Sequence, residues 1–132
     1  MPSPSEVFLR LVESLAAKKT DDLHLLYAED AFVTHPFAYP ESRFEGREAL
    51  REHFAQVPGM PFEMTVRDVV VHETADPEVI VAEFVYDGRN TATGVRFTVP
   101  NIFVMRIRDG LIVEARDYAH HRAFAEALGS RS

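Results

Sequence analysis

Two side chains have the type and setting for acid/base chemistry: a histidine in an apolar loop and an aspartate that ends an apolar stretch. His35 precedes the proline- and aromatic-rich run 36–40, and an imidazole can accept or donate a proton near neutral pH. Asp117 ends a strand-like pattern of aliphatic residues, where a carboxylate is costly to bury unless it is paired or performs a task. These two residues predict general acid/base catalysis.

Each of these residues also has a purely structural interpretation. Asp117 could accept a hydrogen bond from a backbone amide or pair with Arg116 or Arg122, because ion-pair networks also hold carboxylates. His35 could be a partly buried loop histidine that is bonded to a carbonyl oxygen. The residues alone leave both alternatives open.

Other kinds of chemistry lack their characteristic residues. The chain has no cysteine, no glycine-rich phosphate loop and no Gly-x-Ser-x-Gly elbow, so thiol, nucleotide and acyl-enzyme chemistry are not expected. The six histidines show no metal-binding spacing, since the adjacent His120 and His121 point apart on a helix. We therefore expect neither a metal nor an organic cofactor.

Length and charge restrict the class of protein further. The 132 residues suit one domain over 1–132, and the formal net charge of −7 disfavours nucleic acid, whose phosphates require a basic surface. No apolar run approaches the roughly 20 residues of a membrane span, and the N-terminus lacks the pattern of a signal peptide. With no cysteine either, the expectation is a soluble cytoplasmic domain without nucleic-acid or membrane partners.

Helices are predicted mainly in the N-terminal half. Ser3 can cap the first helix, because Glu6 completes a Ser-x-x-Glu capping box and apolar residues follow at helical spacing. Further helices are predicted over residues 21–28, 46–57 and 119–128. Three of these four helices therefore precede the strand-rich part of the chain.

Strands are predicted over most of the remaining chain. A short strand is expected at 31–34, and from 60 to 118 apolar residues alternate with polar ones. A change of phase near 67–68 predicts a bulge, and Asp87-Gly88 with the polar stretch to Thr93 predicts a turn. The order of elements predicts an α+β fold, with a curled antiparallel sheet and the helices on one of its faces.

The dipeptide Asp109-Gly110 is the strongest hairpin signal, and it predicts the register of the last two strands. A two-residue turn there pairs Ile102 with Asp117, and cross-strand partners share a face of the sheet. The predicted inner face carries Ile102, Val104, Val113, Ala115 and Asp117. The predicted outer face carries Phe103, Met105, Ile107, Glu114, Arg116 and Tyr118, a mixture of apolar and charged residues that favours a homodimer.

Several stretches are together similar to one superfamily: Tyr27 to Val33, His35 to Phe37, Phe44 to Phe54, His72 to Glu78, Arg108 to Glu114 and Arg116 to Tyr118. They resemble the nuclear transport factor 2-like proteins, which include ketosteroid isomerase and the SnoaL-type polyketide cyclases. The pattern over 72–129 is also similar to the phenazine-biosynthesis A/B proteins. The resemblance implies a cone-shaped sheet that helices close over a pocket, and pairing of two copies through the outer sheet face.

The resemblance also implies roles for individual positions. Asp117 falls where SnoaL-type cyclases carry an acid/base aspartate, and His35 falls at the base position of ketosteroid isomerase. The two oxyanion donors of that isomerase fall on Leu11 and Ile102, which have no proton to donate, so its familiar mechanism is not expected here. Asn101 matches an asparagine of the phenazine A/B pattern.

The resulting hypothesis is an isomerase, cyclase or related lyase that acts on a small apolar substrate bearing a carbonyl. Asp117 and His35 are the predicted catalytic residues. The predicted substrate-binding residues are Phe37, Tyr39, Phe54, Asn101, Ile102 and Tyr118. The alternative is a non-catalytic ligand-binding or accessory domain that uses the same pocket.

Overall fold

A computed structural model describes residues 2–38 and 40–129 of the chain. The α-helices in this part are α1 (Pro4–Ala16), α2 (Arg47–Phe54) and α3 (His121–Ala127), and single 3-10 turns occur at Leu23–Leu26 and Val57–Gly59. The strands are β1 (Tyr27–His35), β2 (Ser42–Glu45), β3 (Phe62–Glu73), β4 (Val79–Asn90), β5 (Arg96–Arg108) and β6 (Leu111–Asp117). They form one sheet in the order β2-β1-β6-β5-β4-β3.

The α+β class and the single curled sheet are confirmed. All neighbouring strands are antiparallel except β1 and β6, which run parallel, so the sheet is mixed rather than wholly antiparallel as predicted. The chain between β1 and β6 runs from residue 36 to residue 110, and such a long connection allows the two strands to pair in parallel, which a tight hairpin turn does not. The parallel pairing places the C-terminal ends of β1 and β6 side by side.

The first helix covers the inner face of the sheet. Ser3 caps it as predicted, since its side-chain oxygen accepts a hydrogen bond from the backbone N–H of Glu6 at 3.2 Å. Phe8, on the buried side of the helix, packs edge-on against Phe84 of β4 and Phe103 of β5, with ring centroids 5.3 and 6.1 Å apart. This aromatic contact attaches α1 to the centre of the sheet.

Two predictions for the region after α1 are wrong. The helix expected over 21–28 is reduced to the 3-10 turn at Leu23–Leu26, and β1 begins at Tyr27 rather than at residue 31. Tyr27 and the following residues form a strand because β1 pairs with both β2 and β6, and these tertiary hydrogen bonds outweigh the weak local helical pattern. Strand β2 was not predicted at all.

The turn predicted from Asp87-Gly88 to Thr93 is confirmed in its later part, since the chain turns at 91–93, but Asp87 and Gly88 themselves continue β4. Gly88 faces the neighbouring strand so closely that a Cβ atom there would lie 2.3 Å from the carbonyl oxygen of Glu63. The glycine therefore permits close strand approach rather than a turn. The bulge predicted at 67–68 is confirmed: the β3–β4 register shifts there, and Asp68 has a φ of 56°.

A second bulge changes the faces of the last hairpin. Asp109 and Gly110 form the predicted turn, with φ values of 53° and 77°, and Arg108 lies opposite Leu111 as expected. The register then shifts by one residue at Val113, so Asp117 lies opposite Phe103 and not Ile102. A one-residue slip moves every later side chain to the other face.

The slip reverses the predicted faces of β5, because it places Met105 and Phe103 opposite Ala115 and Asp117. Phe103, Met105 and Ile107 lie buried on the inner face, whereas Ile102 is 42% exposed on the outer face. These three apolar residues are therefore not available to a dimer interface on the outer face. The outer positions of Glu114 and Arg116 are confirmed, since the two side chains are partly exposed and lie 3.3 Å apart.

Candidate active site

The inner face of the sheet encloses a cavity of about 310 Å³ beneath the helices. Most of its lining is apolar and includes Leu15, Val57, Met60, Phe62, Met64 and Phe124. The polar lining residues include His35, His53, Tyr86, Asn101, Asp117 and His121. An apolar cavity with a few convergent polar groups is the usual form of a small-molecule site.

The parallel pairing of β1 and β6 brings the two predicted catalytic residues together. Thr34 lies opposite Arg116, so the next residue of each strand, His35 and Asp117, also lie side by side. His35 Nε2 is 3.4 Å from Asp117 Oδ2, and the side chains are 14% and 19% exposed. This separation is longer than a tight catalytic hydrogen bond of about 2.6–3.2 Å, as is common before substrate binds.

Asp117 has a backbone partner but no arginine or lysine partner among the described residues. Its Oδ1 accepts a hydrogen bond from the N–H of Ala119 at 3.0 Å. For this one oxygen, the structural interpretation in which Asp117 bonds a backbone amide is therefore confirmed. The proposed arginine pairings are absent, because Arg116 pairs with Glu114 and Arg122 pairs with Glu126. Within residues 2–38 and 40–129, the ion-pair partner of Oδ2 is the imidazole of His35.

His35 is not bonded to a carbonyl oxygen as its structural alternative required. Its Nδ1 is buried and has no hydrogen-bond partner in the described part of the chain. Its ring packs edge-on against Phe44 and His121, with centroids 5.6 and 5.1 Å away. A carboxylate at Nε2 favours a proton on that nitrogen, which leaves the lone pair on Nδ1.

Two further histidines surround this pair. His121, at the start of α3, places Nε2 3.9 Å from Asp117 Oδ1 and 3.3 Å from the Asp117 carbonyl oxygen. The ring of His53 on α2 lies 4.4 Å from that of Phe44, and burial lowers the pKa of His53. The nearby charge of His35 lowers it further, while Asp117 opposes the shift. Neither histidine is predicted as a site residue from the sequence, because neither belongs to a spacing motif.

The cavity also contains a tyrosine that the sequence analysis missed. Tyr86 on β4 is 8% exposed and contributes to the cavity lining. Burial raises the pKa of its phenol, and the negative charge of Asp117 raises it further. The phenol is therefore neutral at physiological pH and retains its proton. The alternating pattern of β4 could have marked Tyr86 as inward-facing, but its place in the cavity depends on the curl of the sheet.

The predicted substrate-binding residues divide between different surfaces. Asn101 lies in the cavity wall, with its Nδ2 donating to the carbonyl oxygen of Val99 at 2.9 Å. Phe54 is buried beside a smaller cavity of about 80 Å³. The residues Phe37, Ile102 and Tyr118 instead line an open groove of about 630 Å³. Tyr39 lies outside the described residues.

No group of three or more His, Asp or Glu side chains in residues 2–38 and 40–129 is arranged to hold a metal ion. The ring of His35 meets that of His121 edge-on and that of His53 at a tilt, with ring centroids 5.1 and 6.1 Å apart. The same part of the chain contains no helix that is long and apolar enough to cross a membrane.

Comparison with known proteins identifies relatives over most of the chain. The model of the SnoaL-like domain matches residues 8–115. An uncharacterised PhzA/B-like protein of Pseudomonas aeruginosa is 38% identical over 125 residues, which cover 92% of this chain and 84% of the relative. The alignment extends the similarity across both the His35 and the Asp117 segments.

Solved structures give the same result for the fold. A provisionally assigned isomerase from Bacillus subtilis superposes with a TM-score of 0.86 and 27% identity, over 96% of this chain and 93% of that one. A provisionally assigned polyketide cyclase from Pseudomonas putida superposes with a TM-score of 0.77 and 18% identity, over 96% and 98% of the two chains. These similarities confirm the cone-like fold that the resemblance implied.

Proposed function

Because this chain belongs to the SnoaL-like domain family, we propose that it is an enzyme that moves a proton on a small apolar substrate bearing a carbonyl group. The observation that carries the proposal is the Asp117–His35 pair, 3.4 Å apart in the wall of an apolar cavity. A carboxylate without a cationic arginine or lysine partner is free to exchange a proton, which suits a general acid/base.

The proposed reaction is an isomerisation that Asp117 performs. Its carboxylate removes a proton from the carbon next to the carbonyl, and the C–H electron pair forms a C=C bond while the carbonyl π electrons move to oxygen. The protonated Asp117 then returns the proton to a different carbon of the conjugated system. His35 Nε2–H orients the carboxylate and stabilises its charge. A cyclase would use the same enolate as its nucleophile.

The cavity supports a compact, largely apolar substrate. Its volume of about 310 Å³ lies near the lower end of the roughly 300–1,000 Å³ of small-molecule sites. The walls away from Asp117 are formed by side chains such as Met60, Met64 and Phe124, which offer no hydrogen bonds. A cyclic ketone or enone places one oxygen among the polar groups and its ring carbons against these walls.

Solvent exchange tests the proposal without knowledge of the natural substrate. A panel of cyclic ketones and enones, including 2-cyclohexenone and 2-tetralone, is incubated in D₂O with the protein, and loss of the protons next to the carbonyl is followed by ¹H NMR. The wild type is expected to accelerate exchange for at least one compound. Asp117→Asn should slow that exchange about 10²–10⁴-fold, since it removes the base.

Asp76→Asn is the matched control for this experiment. Asp76 also accepts a hydrogen bond from the N–H two residues later, at 3.0 Å, but it lies at the β3–β4 turn outside the cavity. Its variant should exchange protons at the wild-type rate. Equal rates for wild type and Asp117→Asn, or no exchange with any compound that binds, would contradict the proposal.

Ligand binding without catalysis is the second candidate. It is favoured by the hydrogen bond from Ala119 N–H to Asp117 Oδ1, which gives the carboxylate a structural role at the start of the segment that leads to α3. In that case the panel compounds should bind, but their exchange rates should equal those in buffer. Calorimetry identifies the compounds that bind, and the exchange rates of those compounds separate the two candidates.

A homodimer that pairs through the outer sheet face is also part of the proposal. This face exposes Val70 and Ile102 near the charged pair Glu114–Arg116, and such a mixture is common in interfaces. Sedimentation at micromolar concentration should give a dimer, and a monomer alone would contradict it. We also propose a cytoplasmic location, which the absence of cysteine supports and which cell fractionation tests.

A further inference from the structure

Tyr86 lines the cavity but has no role in the proton transfer described above. It lies on β4 opposite Val99 of β5, whereas Asp117 lies on β6 opposite Phe103. The two side chains therefore approach the cavity from strands that β5 separates, with space for a ligand between them. Packing fixes the tyrosine ring, which meets Phe84 edge-on with centroids 5.1 Å apart.

The hydroxyl group of Tyr86 is available to a ligand. It makes no hydrogen bond within the described part of the chain, although the side chain is 8% exposed and surrounded by apolar residues. A phenol in such a setting usually finds a hydrogen-bond partner. Because Tyr86 lines the cavity, an oxygen atom of a ligand there can accept a hydrogen bond from its hydroxyl group.

From this geometry we infer that the Tyr86 hydroxyl donates a hydrogen bond to the carbonyl oxygen of the substrate and holds the negative charge that forms on it. The inference rests on the proposed function and adds the group that the sequence alignment lacked at Leu11 and Ile102. It also fixes the orientation of the substrate, with its oxygen toward β4 and its acidic carbon toward Asp117.

The step balances without a co-reactant. Asp117 takes the proton from carbon, the C–H electron pair becomes the C=C bond, and the carbonyl π pair moves to oxygen, where the Tyr86 O–H stabilises it. When Asp117 returns the proton to another carbon, the electrons return and the carbonyl forms again. Burial is the main cause that raises the pKa of Tyr86, and it persists when Asp117 is protonated, so the phenol remains the donor throughout.

Other candidate donors in the cavity are less suitable. Asn101 Nδ2 already donates to the Val99 carbonyl oxygen, and His121 is directed to the Asp117 carbonyl oxygen. Tyr27 is the second buried tyrosine with a raised pKa, and it packs against Phe54. It lines the smaller cavity of about 80 Å³, which Asp117 and His35 also line, but not the cavity of about 310 Å³. Tyr27→Phe is therefore a matched control, because it removes a phenolic hydroxyl near Asp117 that does not line the proposed substrate cavity.

The test uses 4-nitrophenol, whose phenolate is an oxyanion like the enolate and whose two ionisation forms absorb at different wavelengths. Binding is measured by absorbance and calorimetry with Asp117→Asn as the host, because its neutral side chain imitates the protonated base and does not repel the phenolate. Adding Tyr86→Phe should weaken phenolate binding about 10- to 100-fold, the usual loss for one hydrogen bond to a charged group. Adding Tyr27→Phe should leave it unchanged.

A second ligand separates hydrogen bonding from packing. 4-Nitroanisole has the same ring without an ionisable hydroxyl, so Tyr86→Phe should change its affinity by less than about 2-fold if the tyrosine acts through its proton. Equal phenolate affinities with and without the Tyr86 hydroxyl, or no phenolate binding by the host, would overturn the inference. Failure of the D₂O exchange in the wild type would instead remove the proposed function, and Tyr86-dependent phenolate binding would still stand.

Discussion

Asp76 at the β3–β4 turn and Asp117 at the end of β6 share one local motif and differ in the partner beyond it. Each carboxylate accepts a hydrogen bond at 3.0 Å from the backbone N–H two residues later. The second partner of Asp76 is the guanidinium of Arg106, at 2.9 Å. The second partner of Asp117 is the imidazole of His35, at 3.4 Å.

This difference separates a structural carboxylate from a candidate catalytic one. Hydrogen bonds from the Glu78 backbone N–H and from Arg106 lower the pKa of Asp76, and a guanidinium never gives up its proton at physiological pH. Asp76 is therefore held as a permanent acceptor. An imidazole does not carry a permanent positive charge, so the contact with His35 does not restrict Asp117 to the role of a permanent acceptor. The same aspartate motif thus serves two purposes, and the titratable partner decides which.

The largest expected effect within this comparison comes from His35→Gln. Glutamine keeps a polar side chain but lacks the ring that packs against Phe44 and His121, so it does not hold an N–H toward Asp117 as the imidazole does. The α-proton exchange rate should therefore fall about 10²-fold. Arg106→Gln, the corresponding change at the turn, should leave the rate unchanged because Arg106 lies outside the cavity. The ¹H NMR exchange assay in D₂O measures both rates. An equal loss in the two variants would mean that the contrast between the regions has no functional meaning.

A moderate effect is expected on the pH dependence of stability from His53→Phe. The pKa of His53 is lowered from its usual 6.5, so below pH 6.5 the unfolded chain binds more protons than the folded one. Stability therefore rises with pH through this window and falls as the pH drops below 6.5. Phenylalanine keeps the packing against Phe44 and removes the titration. Urea unfolding between pH 5 and 8, a range of about three units around the histidine reference value, should show a shallower slope for the variant.

The smallest effect is expected at the turn from Glu78→Gln. Hydrogen bonds from Arg108 and then Arg106 lower the pKa of Glu78 from its usual 4.5. The stabilising contribution of Glu78 to the free energy of unfolding is present above pH 4.5. It is lost as the pH falls through the lowered pKa of the folded state, because the unfolded chain binds more protons in this range. Acid unfolding curves should therefore fall less steeply below pH 4.5 in the variant. A change of the stability curve near pH 6.5 in this variant would instead contradict the assignment of that pH range to His53.

Local signals were sufficient for those parts of the fold that depend on local physics. The Ser3 cap, the Asp109-Gly110 turn and the bulge near 67–68 are each encoded by a few adjacent residues, and all three are confirmed. The length of β1 and the presence of β2 depend on pairing between distant segments. These elements were misjudged because their local patterns are weak.

The site shows the same division between local and tertiary information. Asp117 and His35 were predicted from residue type and resemblance, and their closeness depends on the β1–β6 register. Ile102 was misplaced because the bulge at Val113 leaves no signature in the hairpin turn. Tyr86 was missed because only the curl of the sheet brings β4 and β6 to one cavity.

A double-mutant cycle on the exchange rate tests the central claim most directly, because it asks whether Asp117 and His35 act as one unit. The rates are measured for the wild type, Asp117→Asn, His35→Gln and the double variant. Groups that act together lose their effects non-additively, so the double variant should exchange protons within about 2-fold of Asp117→Asn alone. Losses that multiply would show that the two residues work independently, and they would contradict the proposed acid/base pair.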